Sequence, residues 1–401
     1  MSKLKTNTIQ HTGGSADNIT LDNSQNVTVE GNLTVDGTLT AAQRSNRNLI
    51  INGAMQVAQR STSTTTNNTF CLDRWKCQFG GTDEAQTFSQ TDVSLGTSPY
   101  NLPVGSGHPY AHGFRKCLQV QNGNQTSGAG ASDYTQLRYI VEAQDIANSG
   151  WEYTSASSYI TLSFWIKSSV AQDFAGNLKT SDGTEYTYAF KTGSLTQHTW
   201  TKVTKTISGN ANLTFNNDNG VGLILYLYPF EGTTWTGSVT EDTWYTTSGN
   251  DDGDDNATTW WTQNDATLQI TGVQLEVGSV ATDFEHRSFD DELGRCQRYF
   301  QSSYKYGNAV GSNTDWTNSF NVVSWGDGNA AGIQFRKHMR TSPTVTLRRG
   351  DSNGTGEVLS GGQEKSASAT NIGTGGFQYI NITSGVASTY VNLSWVAESE
   401  L

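Results

Sequence analysis

Strict alternation of apolar and polar residues recurs along most of the chain. In the segment YITLSFWIKS at 159–168, Ile160, Leu162, Phe164 and Ile166 occupy every second position. Residues at this period lie on one face of a β-strand. Similar segments, separated by turns rich in Gly, Asn, Ser and Thr, run through residues 46–287. The pattern predicts a large antiparallel β-sandwich of jelly-roll type over 46–287.

The opposite face of these strands carries polar and aromatic residues. Ser163 and Trp165 oppose the apolar set of the first segment, and Trp200 and Lys202 do so in TWTKVTKTI. One face of each strand is therefore expected to pack on a core, and the other to point outward.

A short helix and a second sandwich are predicted after residue 287. In SFDDELGRCQRYF at 288–300, Ser288 and Asp291 approximate a capping box, and acidic residues suit the positive end of a helix dipole. We interpret 288–300 as a connector helix. Residues 301–401 return to alternating segments such as FNVVSW and TYVNLSWVA, which predict a smaller β-sandwich.

The first 45 residues contain a repeated hexad, VEGNLT followed directly by VDGTLT at 29–40. Apolar residues occupy odd positions and share one face of an extended chain; they are Val27, Val29, Leu33, Val35 and Leu39. One chain cannot cover this narrow stripe, whereas three chains around an axis can cover each other's stripes. We predict a trimerisation collar within 1–45; the alternative is an edge hairpin packed on the following domain.

Composition and charge exclude some classes of function. The net charge of −12 argues against nucleic acid as the main partner, because phosphate binding needs clustered Lys and Arg. No apolar run approaches the ~18 residues of a membrane-spanning helix, so we expect no membrane insertion. The four cysteines, Cys71, Cys77, Cys117 and Cys296, match no zinc spacing.

We expect these cysteines to be buried free thiols of a protein made in a reducing cytoplasm. The alternative is a disulfide between Cys117 and either Cys71 or Cys77. The sequence implies no cofactor.

The chain contains LKTNTIQHTGG before the hexads, Asn48–Ser61 with Asp73–Trp75, and Ile270–Ser303. Together these three segments resemble tail-fibre and other virion structural proteins of marine and cyanobacterial phages. LKTNTIQHTGG with the hexads resembles the N-termini of that family. Asn48–Ser61 (NLIINGAMQVAQRS) with Asp73–Trp75 resembles the start of a β-sandwich module, and Ile270–Ser303 resembles its close. Asp283 departs from the family, which more often has proline there. The resemblance implies a homotrimeric fibre whose sandwich module is sugar-binding-like in shape, and it supplies no catalytic residues.

Two sequence patterns bear on an enzymatic alternative. Glycan hydrolysis needs two facing carboxylates, and no pair can be assigned from the sequence. Gly350–Gly354 (GDSNG) resembles the first block of the Gly-Asp-Ser hydrolases, but residues 355–401 contain no His to act as base. We therefore predict that the protein is not an enzyme.

A turn-rich insertion at 231–263 is unusually aromatic. Its members are Trp235, Trp244, Tyr245, Trp260 and Trp261. Aromatic rings can stack on sugar rings, so this set is a candidate glycan-binding site. The alternatives are packing within the domain and contact between subunits.

The same insertion contains four acidic residues close together, Asp251, Asp252, Asp254 and Asp255. Carboxylates that converge on one point can bind Ca²⁺, but the spacing is not that of an EF-hand loop. A solvated loop is the preferred interpretation, with a cation site as the alternative. The basic stretch Arg336–Arg340, with Arg348–Arg349, is a candidate contact for anionic lipopolysaccharide, or for acidic groups of another subunit.

The sequence thus predicts a homotrimeric, non-enzymatic virion protein of a phage tail, assembled in the host cytoplasm. Residues 1–25 would attach it to tail, adaptor or nozzle proteins. The β-domains would bind host surface glycan with the gain that three linked sites give over one. The alternatives are a fibre-borne polysaccharide depolymerase and a purely structural capsid or baseplate decoration protein.

Overall fold

The computed structural model of the protein describes residues 8–9, 19–21, 27–29, 46–93, 107–249, 251–312, 319–325, 328–350, 354–384 and 389–401. The chain divides into two units, Met1–Ser45 and Asn46–Leu401. The described strands of both units pair in antiparallel sheets, and the predicted all-β fold is confirmed.

The first unit contains three short strands. They are β1 (Thr8–Ile9), β2 (Ile19–Leu21) and β3 (Val27–Val29). They form an antiparallel sheet in the order β1-β2-β3, in which Val27 pairs with Leu21 and Val29 with Ile19. Leu33, Val35 and Leu39 lie outside the described residues, so the trimerisation collar stays a prediction.

Strands from residue 63 to 277 build two sheets. They are β4 (Ser63–Thr64), β5 (Thr69–Leu72), β6 (Trp75–Gly80), β7 (Thr87–Asp92), β8 (Lys116–Gln121), β9 (Tyr134–Glu142), β10 (Tyr159–Ser168), β11 (Ala175–Thr180), β12 (Tyr186–Lys191), β13 (Thr201–Ser208), β14 (Val221–Glu231), β15 (Trp244–Thr246) and β16 (Thr267–Val277). The six-stranded sheet has the order β13-β10-β16-β8-β7-β4, and the seven-stranded sheet β15-β12-β11-β14-β9-β6-β5.

These two sheets share one hydrophobic core. Ile160, Leu162 and Phe164 of β10 are fully buried in it, together with Leu137 of β9 and Leu223 of β14. The alternation in the sequence therefore assigns the inner face correctly. This arrangement is the predicted antiparallel sandwich.

Helices are few and short in the described part of the chain. They are α1 (Ala143–Ala147), α2 (Thr259–Thr262) and α3 (Phe289–Cys296). The side chain of Ser288 accepts a hydrogen bond from the amide of Asp291 at 3.2 Å, as a helix N-cap does. Helix α3 ends at Cys296, and Phe300 of the predicted helical segment already belongs to the next strand. All four cysteines are buried free thiols.

The last hundred residues form a second β structure with its own core. Its strands are β17 (Phe300–Ser302), β18 (Phe320–Trp325), β19 (Asn329–Gln334), β20 (Thr344–Arg349), β21 (Glu357–Ser360), β22 (Gln363–Gly373), β23 (Gly376–Ile382) and β24 (Tyr390–Glu398). Strand β21 pairs with both β22 and β24, so the sheet closes on itself in a barrel-like sandwich. Met339, Ile380 and Leu393 are among the residues of its core.

Charged side chains join the two β structures. Arg74 of the first forms an ion pair with Glu400 of the second, and both side chains are almost fully buried. Arg340 donates to the carbonyl oxygens of Asn219 at 2.7 Å and Ser399 at 2.8 Å. This residue of the predicted basic cluster therefore makes contacts within its own chain.

Candidate functional site

Two members of the aromatic set are core residues. Trp260 and Trp261 lie on α2, and each has an exposed fraction of 0%. The indole nitrogen of Trp261 donates to the carbonyl of Gly128 at 2.8 Å. Neither ring is open to a sugar, so the alternative of packing within the domain applies to both.

The other three aromatic residues are partly buried and do not converge. Trp244 packs against the core and donates to the carbonyl of Ser208 at 2.7 Å. Tyr245 donates to the carbonyl of Asp251 at 2.9 Å. Trp235 makes an edge-to-face contact with Tyr134, with ring centroids 5.6 Å apart. The five residues therefore do not form one stacking platform.

The acidic residues of the insertion have different partners. Asp251 accepts from the hydroxyl of Ser248 at 3.1 Å, and Asp255 accepts from that of Thr236 at 2.6 Å. Asp254 forms an ion pair with Lys191 at 3.5 Å. Burial raises the pKa of Asp252. Within the described ranges, no group of three or more His, Cys, Asp or Glu residues could hold a metal ion.

Residues 351–353 of the GDSNG segment lie outside the described ranges, so the structure does not test the resemblance of this segment to hydrolases.

An open cleft lies on the outer side of the six-stranded sheet. Its volume is about 440 Å³, within the ~300–1,000 Å³ typical of ligand sites. Aromatic, cationic and hydroxyl side chains line it, namely His112, Ser163, Trp165, Lys202, Thr282, Asp283, Phe284 and His286.

Two strands supply the floor of the cleft. Ser163 and Trp165 occupy alternate positions on β10, and Trp165 pairs directly with Lys202 of β13. Trp165 is 6% exposed, whereas Lys202 is exposed. The Lys202 side chain forms no hydrogen bond or ion pair among the described residues. Its ammonium group is therefore available to a bound molecule.

A β-bulge shapes the edge of the cleft. Ser163 pairs with Gln274 of β16 but Trp165 pairs with Thr271, so one extra residue of β16 is accommodated there. Gly272 has a φ of +63°, and a Cβ on it would lie 2.6 Å from Cζ of Phe114. Only glycine permits both this backbone conformation and the approach of the Phe114 ring.

Two distant loops form the walls. The Nε2 atom of His286 donates to the carbonyl oxygen of His112 at 2.7 Å. The ring of His112 lies 5.4 Å from that of Trp165, and Phe284 contacts Phe114 edge-to-face at 4.9 Å. Residues 170 positions apart in the chain are thereby held on either side of one cleft.

Buried polar side chains of β16 anchor the second wall. The carboxylate of Glu276 accepts from the amide and hydroxyl of Thr282 at 2.8 and 2.6 Å. Gln274 accepts from the amide of Glu285 at 2.8 Å. These bonds attach residues 282–286 to the sheet. The cleft is thus built by fixed contacts, as expected for a largely pre-formed site.

Part of this site could be predicted from the sequence. Alternation placed Ser163, Trp165 and Lys202 on outer faces, but nothing in the sequence indicated that His112 and His286 meet there. No catalytic pair is evident in the cleft, where Asp283 is the only carboxylate among the lining residues.

In the described part of the chain, no helix is long and apolar enough to span a membrane.

Comparisons with known proteins give only distant likenesses. No family model and no curated protein sequence matches the chain. Among solved structures, the enzymatically active domain of bacteriophage CBA120 tailspike protein 4 is similar over 58% of this chain and 21% of its own length, at 9% identity and a TM-score of 0.29. The chain therefore matches about a fifth of that protein.

Two carbohydrate-binding modules are also similar. The family 11 module of Clostridium thermocellum, solved with a mixed-linked tetrasaccharide, matches 55% of this chain and 98% of its own length at 12% identity, with a TM-score of 0.24. The N-terminal cellulose-binding domain of Cellulomonas fimi β-1,4-glucanase C matches 55% and 96% at 12% identity, with a TM-score of 0.25. Likenesses of this degree assign neither family nor ligand to the chain.

Proposed function

We propose that the protein is a glycan-binding fibre protein of a phage virion, and that the cleft on the six-stranded sheet is its recognition site. The observation that carries this proposal is the composition of the cleft. An aromatic floor lies beside hydroxyl, imidazole and ammonium groups in a pre-formed opening of about 440 Å³. Sugars offer apolar ring faces and hydroxyl groups at their edges, and both find counterparts here.

The roles of individual residues follow from their positions. The hydroxyl of Ser163 and the ammonium of Lys202 can hydrogen-bond sugar hydroxyls or ring oxygens. The rings of Trp165 and Phe284 offer apolar contact, and His112 and Asp283 border the opening. Each contact is modest, so a single site of this kind binds weakly.

Trimerisation would strengthen glycan binding because it joins three weak sites in one molecule. Three chains joined at the hexad segment would bring three clefts to one cell surface, and linked sites can bind ~10²–10⁴-fold more tightly than one. The resemblance of three segments within residues 1–303 to phage fibre proteins supports this assembly, with 1–25 attached to tail, adaptor or nozzle proteins. The protein then belongs to the virion and acts by binding, without catalysis.

The decisive experiment compares binding and cleavage. The full-length protein is incubated with host cells and with polysaccharide extracted from them. We expect it to bind the cells, to be displaced by the free glycan, and to leave the length of the glycan chains unchanged. Shortened chains would favour the depolymerase, and no binding at any concentration would favour a decoration protein.

Variants then test whether the cleft is the site. Exchange of two exposed lining residues, His112→Ala with Lys202→Ala, is expected to weaken cell binding at least tenfold without changing the unfolding temperature. Lys305→Ala, an exposed lysine of the second β structure, serves as the control. Unchanged binding by the double variant would exclude the cleft.

A further inference from the structure

A second group of outward side chains lies on the seven-stranded sheet, on the opposite side of the sandwich from the cleft. Leu137 and Tyr139 of β9 point into the core, so Gln136 and Arg138 point outward. Arg138 pairs with Lys76 of β6 on one side and with Tyr226 of β14 on the other. We call Lys76, Gln78, Gln136, Arg138 and Tyr226 the basic face; all five are half-buried.

Two cations of the basic face are neighbours, and neither is held in an ion pair. Within the described residues, neither Arg138 nor Lys76 forms an ion pair within 4.0 Å or a side-chain hydrogen bond. The Nε atom of Arg138 is buried without a hydrogen-bond partner there. Like charges directly opposite each other across two strands destabilise a sheet. Burial, and then the charge of Arg138, lower the pKa of Lys76, although the charges of Glu398 and Glu400 act in the opposite direction.

The other lysines on this side of the sheet behave differently. Lys179 of β11 pairs with Glu185 at 3.3 Å. Lys191 of β12 pairs with Asp173 at 3.8 Å and with Glu241 at 3.7 Å. In a chain with a net charge of −12, acidic partners are abundant. The pair of Arg138 and Lys76 is therefore exceptional on its own sheet.

An aromatic ring lies next to this pair. Tyr226 stacks on Tyr228 with ring centroids 5.7 Å apart and planes 9° from parallel. Tyr228 is 1% exposed, and its hydroxyl accepts from Nδ2 of Asn177 at 2.9 Å. The buried ring thus holds Tyr226 in a fixed orientation beside Arg138.

Ordered amides extend the basic face along the strands. Gln136 donates to the side-chain oxygen of Gln78 at 3.0 Å, and Gln78 donates to that of Asn68 at 3.0 Å. Neighbouring strands are ~4.8 Å apart, so Lys76 and Tyr226 lie about 10 Å apart across Arg138. A planar guanidinium between an ammonium and an aromatic ring suits a ligand with a carboxylate attached to a sugar ring.

We propose that the basic face binds an acidic polysaccharide, with the carboxylate of a uronic acid against the exposed parts of Arg138 and Lys76 and its sugar ring against Tyr226. This inference rests on the proposed function, to which it adds a second site and the chemical class of its ligand. An anion there would relieve the repulsion between the two cations.

The test uses one oligomer in two charge states. Binding of oligogalacturonate and of its methyl ester is measured by calorimetry at low and at physiological salt. We expect the wild-type chain to bind the acid form at least tenfold more tightly than the ester at low salt, with the difference shrinking as salt rises. Arg138→Gln should abolish the preference, and Lys179→Gln, a paired cation of the same sheet, should keep it.

A stability measurement separates binding from folding. Arg138→Gln removes one of two repelling charges, so its unfolding temperature should equal or exceed that of the wild type. Equal affinity for both oligomers, no affinity for the acid form, or a preference that survives Arg138→Gln would each overturn the inference. Failure of the proposed function has a different signature, because it would show as loss of cell and host-glycan binding altogether.

Discussion

Arg298 donates to both carboxylate oxygens of Glu142, from Nε and from Nη2, each at 2.8 Å. Glu142 is the last residue of β9 and its side chain is fully buried, whereas Arg298 follows α3 and is 34% exposed. Burial alone would raise the pKa of Glu142, but hydrogen bonds from Arg298 and Tyr299 hold it below its ordinary value. This pair joins the first sandwich to the segment that leads into the second β structure.

Removing the guanidinium group of Arg298 should therefore lower the free energy of unfolding. Arg298→Met leaves the buried carboxylate of Glu142 without its main partner. Loss of one partner of a buried ion pair costs about 3–5 kcal/mol, and the partial exposure of Arg298 suggests the lower end of that range. The free energy of unfolding, measured by denaturant titration, should fall by about 3 kcal/mol.

A matched control exists one turn earlier. Arg295 of α3 pairs with Asp291 at 3.2 Å in an i,i+4 arrangement on the surface. Exposed pairs contribute ~0.2–1 kcal/mol, so Arg295→Met should have a small effect. Equal losses for the two variants would contradict a special role of the buried pair.

The buried carboxyl group of Glu231 should make the stability of the protein depend on pH. Its side chain is 3% exposed, and Oε2 has no hydrogen-bond partner in the described part of the chain. Burial, and then the nearby charge of Asp252, raise the pKa of Glu231 well above its usual range. The unfolded chain releases this proton at a lower pH than the folded chain does. The contribution of Glu231 to stability is therefore complete below the unfolded pKa and is lost as pH rises towards the folded pKa.

Glu231→Gln should remove that loss. We expect the unfolding temperature of the wild type to fall more between pH 5 and pH 8 than that of the variant. Glu185→Gln, which changes a half-exposed carboxylate of an ion pair, should leave the wild-type pH profile in place. Parallel profiles for wild type and Glu231→Gln would show that this carboxyl does not retain its proton in the folded chain.

Local sequence signals predicted the strands and α3 because period and capping depend on neighbouring residues. The alternation in β10 distinguished Phe164, which lies in the core between the two sheets, from Trp165, which lies in a separate buried cluster. The same signals could not predict which loops cover an outer face. His112 and His286 are 174 residues apart and meet only because both loops end on the same sheet.

Trp260 and Trp261 show that the local sequence also does not predict which aromatic side chains are buried. Trp260 and Trp261 stand among polar residues of a turn-rich insertion, where the sequence left glycan binding, packing within the domain and contact between subunits open. In the structure they are two of the four residues of helix α2, and both rings enter the core, where the ring of Trp261 lies 4.9 Å from that of Phe230. Tertiary packing, which local polarity does not report, decides their environment.

The hexad segment carries a prediction about assembly. If the odd-numbered apolar stripe joins three chains, a charge within it must be buried without a partner, which is strongly unfavourable. Leu33→Asp with Val35→Asp should convert trimers to monomers in sedimentation velocity, while the β-sheet signal in circular dichroism stays unchanged. Thr34→Asp, on the alternate face, is the control and should remain trimeric. A wild-type monomer would refute the collar.

Gly272 tests whether the bulge shapes the cleft. Alanine there must adopt a φ of +63° and would place its Cβ 2.6 Å from Phe114, so the ring must move. Gly193→Ala is a matched control, because Gly193 has a φ of +75° with nothing within 4 Å of the added Cβ. Both variants should lose about 1–2 kcal/mol from the left-handed backbone. Gly272→Ala should lose more and should also weaken glycan binding, since Phe114 packs against Phe284 of the wall. If the two variants behave alike, the contact between Gly272 and Phe114 does not control the cleft.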